Sequence, residues 1–155
     1  MPVIDDPMRI PGRRGTVYPV PLAAHLEGRE KRALTDPLGL TQFGVNLTIL
    51  EPGAQSSHRH WHAQEDEMVY IIEGEATLIT NDGATILKPG MLAGFPRGVA
   101  NAHHLVNRST ARVLYLEVGT RAAADTVAYA DVDLQAEKRD GGAWQFLHKD
   151  GTPYA

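Results

Sequence analysis

No cysteine occurs in these 155 residues, so disulfides, thiolate ligands and cysteine nucleophiles are all excluded. Any metal must be held by nitrogen and oxygen. No apolar run approaches the roughly 18 residues of a membrane span. The first residues, Met-Pro-Val-Ile-Asp-Asp-Pro, lack the basic-then-apolar pattern of a secretory leader, so a cytoplasmic location is expected. No basic cluster exceeds three residues, and the net charge is −4 with a pI near 5.9. Neither a nucleic-acid face nor a membrane-binding patch is expected from such a balance. Internal repeats and low-complexity segments are absent too.

What is present fits one domain with a single core: 43% of the residues are hydrophobic and 22% charged. Residues 1–22 carry Pro2, Pro7, Pro11, Pro19 and Pro21, which predicts an extended arm or edge strand. Ala23–Leu34 reads as a short helix, interrupted by Gly28. From Leu40 the texture changes. Phe43–Leu50 alternates as a half-buried strand, Glu51-Pro52-Gly53 is a turn, and Ala76–Thr80 with Ala84–Leu87 makes a hairpin around Asn81-Asp82-Gly83. Met91–Phe95, Ala111–Val118 and Trp144–Leu147 read as further strands, while Arg121–Ala130 fits neither pattern clearly. Short strands with turns every 8–12 residues point to an all-β sandwich or closed barrel. The chain divides into an arm (1–39), a barrel core (40–120) and a C-terminal extension packed on the same domain (121–155).

The chemistry-bearing stretch is Pro52–Gly74. His58, His60 and His62 alternate with Arg59 and Trp61, so in a strand all three imidazoles share one face. Neighbours in that row are roughly 6.6 Å apart and can converge on one ion, whereas His58 and His62, roughly 13 Å apart, cannot. One pair is chosen, and the carboxylates at Glu65, Asp66 and Glu67 bear on which.

This stretch resembles the first motif of the cupins: a Gly, then His-x-His, three or four residues, Glu, six residues and Gly. His60, His62, Glu67 and Gly74 satisfy it; starting from His58 would put the closing Gly at Ile72. Gly53 lies one residue further upstream than the pattern expects. Gly90–Asn107 resembles the second motif through Gly90, Pro96, Gly98, His103 and Asn107. Here two extra residues separate Gly98 from His103, so the expected histidine position is Asn101, and a bulge before the strand would absorb them. The motifs span residues 53–107, about a third of the chain.

The resemblance implies a double-stranded β-helix, or jelly-roll barrel, holding one divalent ion (Fe, Mn, Ni, Co or Zn) on His60, His62, Glu67 and His103. His103 is preferred to His104, which points to the opposite face. His58, Val69, Ile71, Asn107 and His104 are expected around the pocket or behind the ligands. Trp61 is expected in packing, His25 and His148 at the surface. Such a centre retains open positions for a small oxygenated ligand and suits dioxygenase, isomerase or lyase chemistry. The alternative is a binding or sensing cupin in which the metal anchors ligand. A homodimer is expected, because Val3, Val17 and Val20 of the arm need a partner surface.

Overall fold

The alternation in residues 43–50 becomes a strand because one face of it has a core to cover. The computed structural model describes residues 3–155, so Pro2 lies outside the described residues. The strands are β1 (Arg13–Arg14), β2 (Arg29–Ala33), β3 (Phe43–Leu50), β4 (His60–His62), β5 (Glu67–Glu73), β6 (Ala76–Thr80), β7 (Gly83–Leu87), β8 (Leu92–Phe95), β9 (His104–Val106), β10 (Val113–Thr120), β11 (Asp125–Tyr129), β12 (Gln135–Lys138) and β13 (Gln145–Leu147). Helix is confined to 3₁₀ turns at Pro7–Arg9, Val20–Leu22 and Asp36–Leu38, each with a proline where a missing N–H costs nothing. Among the described residues no helix is long and apolar enough to cross a membrane, which leaves membrane β-barrels untouched.

One layer is a six-stranded antiparallel sheet, β1-β2-β3-β10-β5-β8. The other is built from β13-β12-β11-β4 and β7-β6-β9. His60 and His103 join these two smaller sheets by exchanging backbone bonds of 3.1 and 2.9 Å. The result is an all-β jelly-roll, as the strand pattern and the motifs imply. Between the layers Leu50, Ile71, Leu78, Leu87, Leu105, Val113 and Tyr115 form the main core. Full burial of each such aliphatic side chain is worth about 1.5–3 kcal/mol. A second cluster under the C-terminal strands holds Val127, Tyr129, Leu134 and Ala136, covered by Tyr18, Trp144 and Phe146.

Gly74, the closing glycine of the first motif, explains itself. Its φ is +80°, and a Cβ there would stand 2.4 Å from Arg112 O, where the chain crosses behind β5. No L side chain fits.

The expected helix at Ala23–Leu34 is not formed. Arg29–Ala33 is strand β2, paired on both edges: Lys31 faces Arg13 of β1 and Thr48 of β3. Two ladders of backbone bonds outweigh the modest helix preference of Arg, Glu, Lys and Ala. The ambiguous stretch 121–130 supplies β11, which pairs with β4 through Val127↔His62 and Tyr129↔His60. The extra residues before His103 make an irregular run, Val99–Ala102, rather than a bulged strand. Asn101, at the motif's expected histidine position, is used elsewhere: its side chain accepts from Asn81 N and donates to Asp82, bracing the β6–β7 turn.

Candidate metal centre

Strand parity on β4 puts His60 and His62 on the inner face with Trp61 between them. Glu67 opens β5, and the next inward residues on that strand are Val69 and Ile71. Glu67 gathers the imidazoles. Its Oε2 lies 2.9 Å from His103 Nε2 and 3.6 Å from His60 Nε2, and its Oε1 lies 3.5 Å from His62 Nε2. The ligand atoms of His60, His62 and Glu67 all fall within 4.8 Å of one another. Donors at about 2.1 Å from one ion are themselves roughly 3.0–3.4 Å apart. The observed spacings are of that size, with the short His103–Glu67 contact a direct hydrogen bond.

The outer nitrogens are committed elsewhere, which frees the inner ones. His60 Nδ1–H donates to His58 O at 2.8 Å. His62 Nδ1–H donates to Asp125 Oδ2 at 2.5 Å, and Asp125 Oδ1 accepts from Gln64 N. In both rings Nε2 is therefore the nitrogen left to face Glu67. Phe95 stacks on His103 with ring centroids 3.6 Å apart and planes within 2°, fixing that ring. His103 Nδ1 is buried without a hydrogen-bond partner among the described residues.

Charge follows from this packing. Burial alone would raise the Glu67 carboxyl, but hydrogen bonds from His103 and His60 and the imidazole charges hold it well below the usual carboxylate range. Burial pushes His103 down, with Glu67 offsetting only part of the effect. For His60 burial is the largest influence but Glu67 outweighs it, and the ring is raised. His60, His62 and Glu67 form the cluster whose atoms could meet on one divalent ion, while His103, the expected fourth ligand, lies outside that group and is hydrogen-bonded to Glu67.

A second acidic grouping, His62 with Glu65 and Asp125, reads differently. It faces Nδ1 of His62, already bonded, and Lys138 Nζ sits 2.7 Å from Glu65, so a cation is already present. It braces His62 from behind.

The remaining sequence candidates separate. His58 Nε2–H donates to Leu22 O at 2.7 Å and its ring lies 5.2 Å from Tyr18, so it anchors the arm. His104 Nδ1–H donates to Ser57 O at 2.8 Å. Asn107 is fully buried and ties Leu50 O to Ala111 O, away from the ligands. Val69 lines the cavity, whereas Ile71 lies deeper, in the apolar core. His25 is exposed. His148, half-buried, pairs with Asp133 and stacks on Tyr154.

The cluster opens onto a cavity of about 640 Å³, roofed by the arm at Arg13–Tyr18 and floored by the interior of the six-stranded sheet. Across that floor stands Glu117 of β10. Its Oε1 accepts from Lys31 Nζ at 2.5 Å and from Asn46 Nδ2 at 3.0 Å. Behind the centre is a smaller cavity of about 230 Å³ lined by Trp61, Leu78 and Val99, which also reaches His62, Glu67 and His103. Sequence reasoning missed Asp125 and Glu117. Glu117 left a signal: it falls on the inward parity of Val113 and Tyr115, where a charge is out of place. Asp125 left none, since its partner is 63 residues away.

A family model described as "Cupin domain" matches residues 46–119. A solved sugar phosphate isomerase of the cupin superfamily from Silicibacter pomeroyi is 43% identical, with a TM-score of 0.91, over 97% of this chain and 95% of that one. The chain belongs to the cupin superfamily. This cupin is also similar to a candidate sugar phosphate isomerase from Acidithiobacillus ferrooxidans, 28% identical with a TM-score of 0.79, over 96% of this chain and 91% of the other. A polyketide cyclase from Streptomyces resistomycificus (20% identity, TM-score 0.64, 77% of this chain and 80% of that one) shares the fold alone. A search of curated proteins gives no match.

Proposed function

We propose that this cupin is a metal-dependent isomerase interconverting the aldose and ketose forms of a phosphorylated sugar. The observation that carries the reading is a cluster able to hold a divalent ion and a separate half-buried carboxylate, Glu117, facing the same 640 Å³ cavity. The two similar proteins named as sugar phosphate isomerases support the choice of reaction class. An ion on His60, His62, Glu67 and His103 would polarise the adjacent carbonyl and hydroxyl oxygens of an open-chain sugar. The chain's own work is proton movement. Glu117 takes the proton from the hydroxyl-bearing carbon beside the carbonyl, leaving an enediolate, and returns it to the former carbonyl carbon, while the hydroxyl proton passes from the old hydroxyl oxygen to the old carbonyl oxygen. Lys31 and Asn46 hold that carboxylate in place, and the arm excludes water from the intermediate.

The test is incubation of protein loaded in turn with Fe, Mn, Ni, Co and Zn with five- and six-carbon aldose and ketose phosphates in D₂O without oxygen. Isomer carrying carbon-bound deuterium is expected. No isomer with any ion would end the reading, and tight binding without turnover would leave a binding or sensing cupin.

We further propose a homodimer. Val3, Val17 and Val20 remain 65%, 78% and 90% exposed, an apolar arm surface for a second copy to cover. A monomer mass by light scattering at micromolar concentration would refute it.

A further inference from the structure

The cavity is unevenly charged. On the inner side of the β1–β2 pair, Arg13 stands directly opposite Lys31, with Arg29 two residues along on the same face. Like charges opposed across a strand pair repel, so this register demands a counter-charge. Glu117 supplies one to Lys31. Arg29 donates to two neutral carbonyls, Gly15 O at 3.0 Å and Ser56 O, and keeps its charge uncompensated. Arg13 has no hydrogen-bond or ion-pair partner among the described residues. At this end three cations face one carboxylate, an excess of two positive charges, while Arg121 and Glu65 elsewhere in the lining are paired with Asp36 and Lys138. Adjacent Arg14 also borders the cavity but differs: in register it stands opposite Glu30, and its Nε lies 2.8 Å from Glu30 Oε2.

We propose that Arg13 and Lys31, backed by Arg29, form a seat for a phosphate monoester at the end of the cavity away from the metal ligands. The excess charge matches a phosphate dianion, and Arg13 offers it an uncommitted guanidinium fork. In sheet order β1 and β2 lie at one end and β5 near the other, so a phosphorylated chain seated here presents its far end to Glu67 and its middle to Glu117. This deepens the isomerase reading and rests on it for the rest of the substrate.

The probe is glycerol 3-phosphate, titrated calorimetrically at low salt into metal-loaded protein, with glycerate and glycerol as carboxylate and uncharged controls. Glycerol 3-phosphate should bind at least tenfold more tightly than glycerate, and glycerol not at all. Arg13→Ala should weaken it about tenfold or more, the usual worth of a charge-assisted bond, at unchanged melting temperature. Arg14→Ala should leave it as in the parent protein. Absence of binding, equal affinity for glycerate, an unaffected Arg13→Ala variant, or an equal loss in Arg14→Ala would each overturn the seat. If the seat holds and no aldose or ketose phosphate is turned over, the isomerase reading falls alone. If isomerisation proceeds with an unaffected Arg13→Ala variant, the seat falls alone.

Discussion

The two ends of the chain serve one cavity by opposite means. The C-terminal extension is built in: β11 pairs with β4, Asp125 is buried against His62, and Val127, Tyr129, Leu134 and Ala136 make a core of their own. The N-terminal arm is laid on. It is held by the two-residue strand β1, by Arg29 reaching Gly15 O and by Tyr18 among His58, Tyr129 and Phe146 rings, with Val17 and Val20 left in solvent. The tail therefore fixes His62, and the arm covers and charges the large cavity. On the function proposed above, the difference assigns support of the metal to one end of the chain and of the substrate to the other.

The sharpest break in that division comes from the ligands themselves. His62→Ala and His60→Ala should lose nearly all metal by elemental analysis. Next is Asp125→Asn, which keeps shape and can still accept from Gln64 N. Its amide would donate to His62 Nδ1 and move the ring proton to Nε2, the wrong nitrogen for a ligand. Metal affinity should fall about 10–100-fold with little change in melting temperature; unchanged affinity would show the tail to be packing only. Removal of residues 1–18 should leave metal content near the parent value and raise KM for a phosphorylated substrate. Loss of metal on that truncation would erase the distinction between the ends. His58→Ala should have the smallest effect, loosening the arm at Leu22 O while metal stays bound.

How far the sequence reached follows the range of the interactions. The barrel and the first motif were legible because period-2 alternation and fixed spacings are local, and Gly74 marks a backbone crossing that only glycine permits. β2 was misread because Arg, Glu, Lys and Ala carry mild helix preference, whereas the partners that make it a strand, β1 and β3, lie elsewhere in the chain. Asp125 sat among alanines and gained meaning only through His62. Arg13 was one of two adjacent arginines, and register alone separates it from Arg14.

The small cavity behind the ligands makes the centre two-faced. Trp61, Leu78 and Val99 line a space that reaches His62, Glu67 and His103 from the rear. His62, Glu67 and His103 also border the large cavity in front, so a change in either wall, at Val99 behind or at Val69 before them, bears on one shared partition.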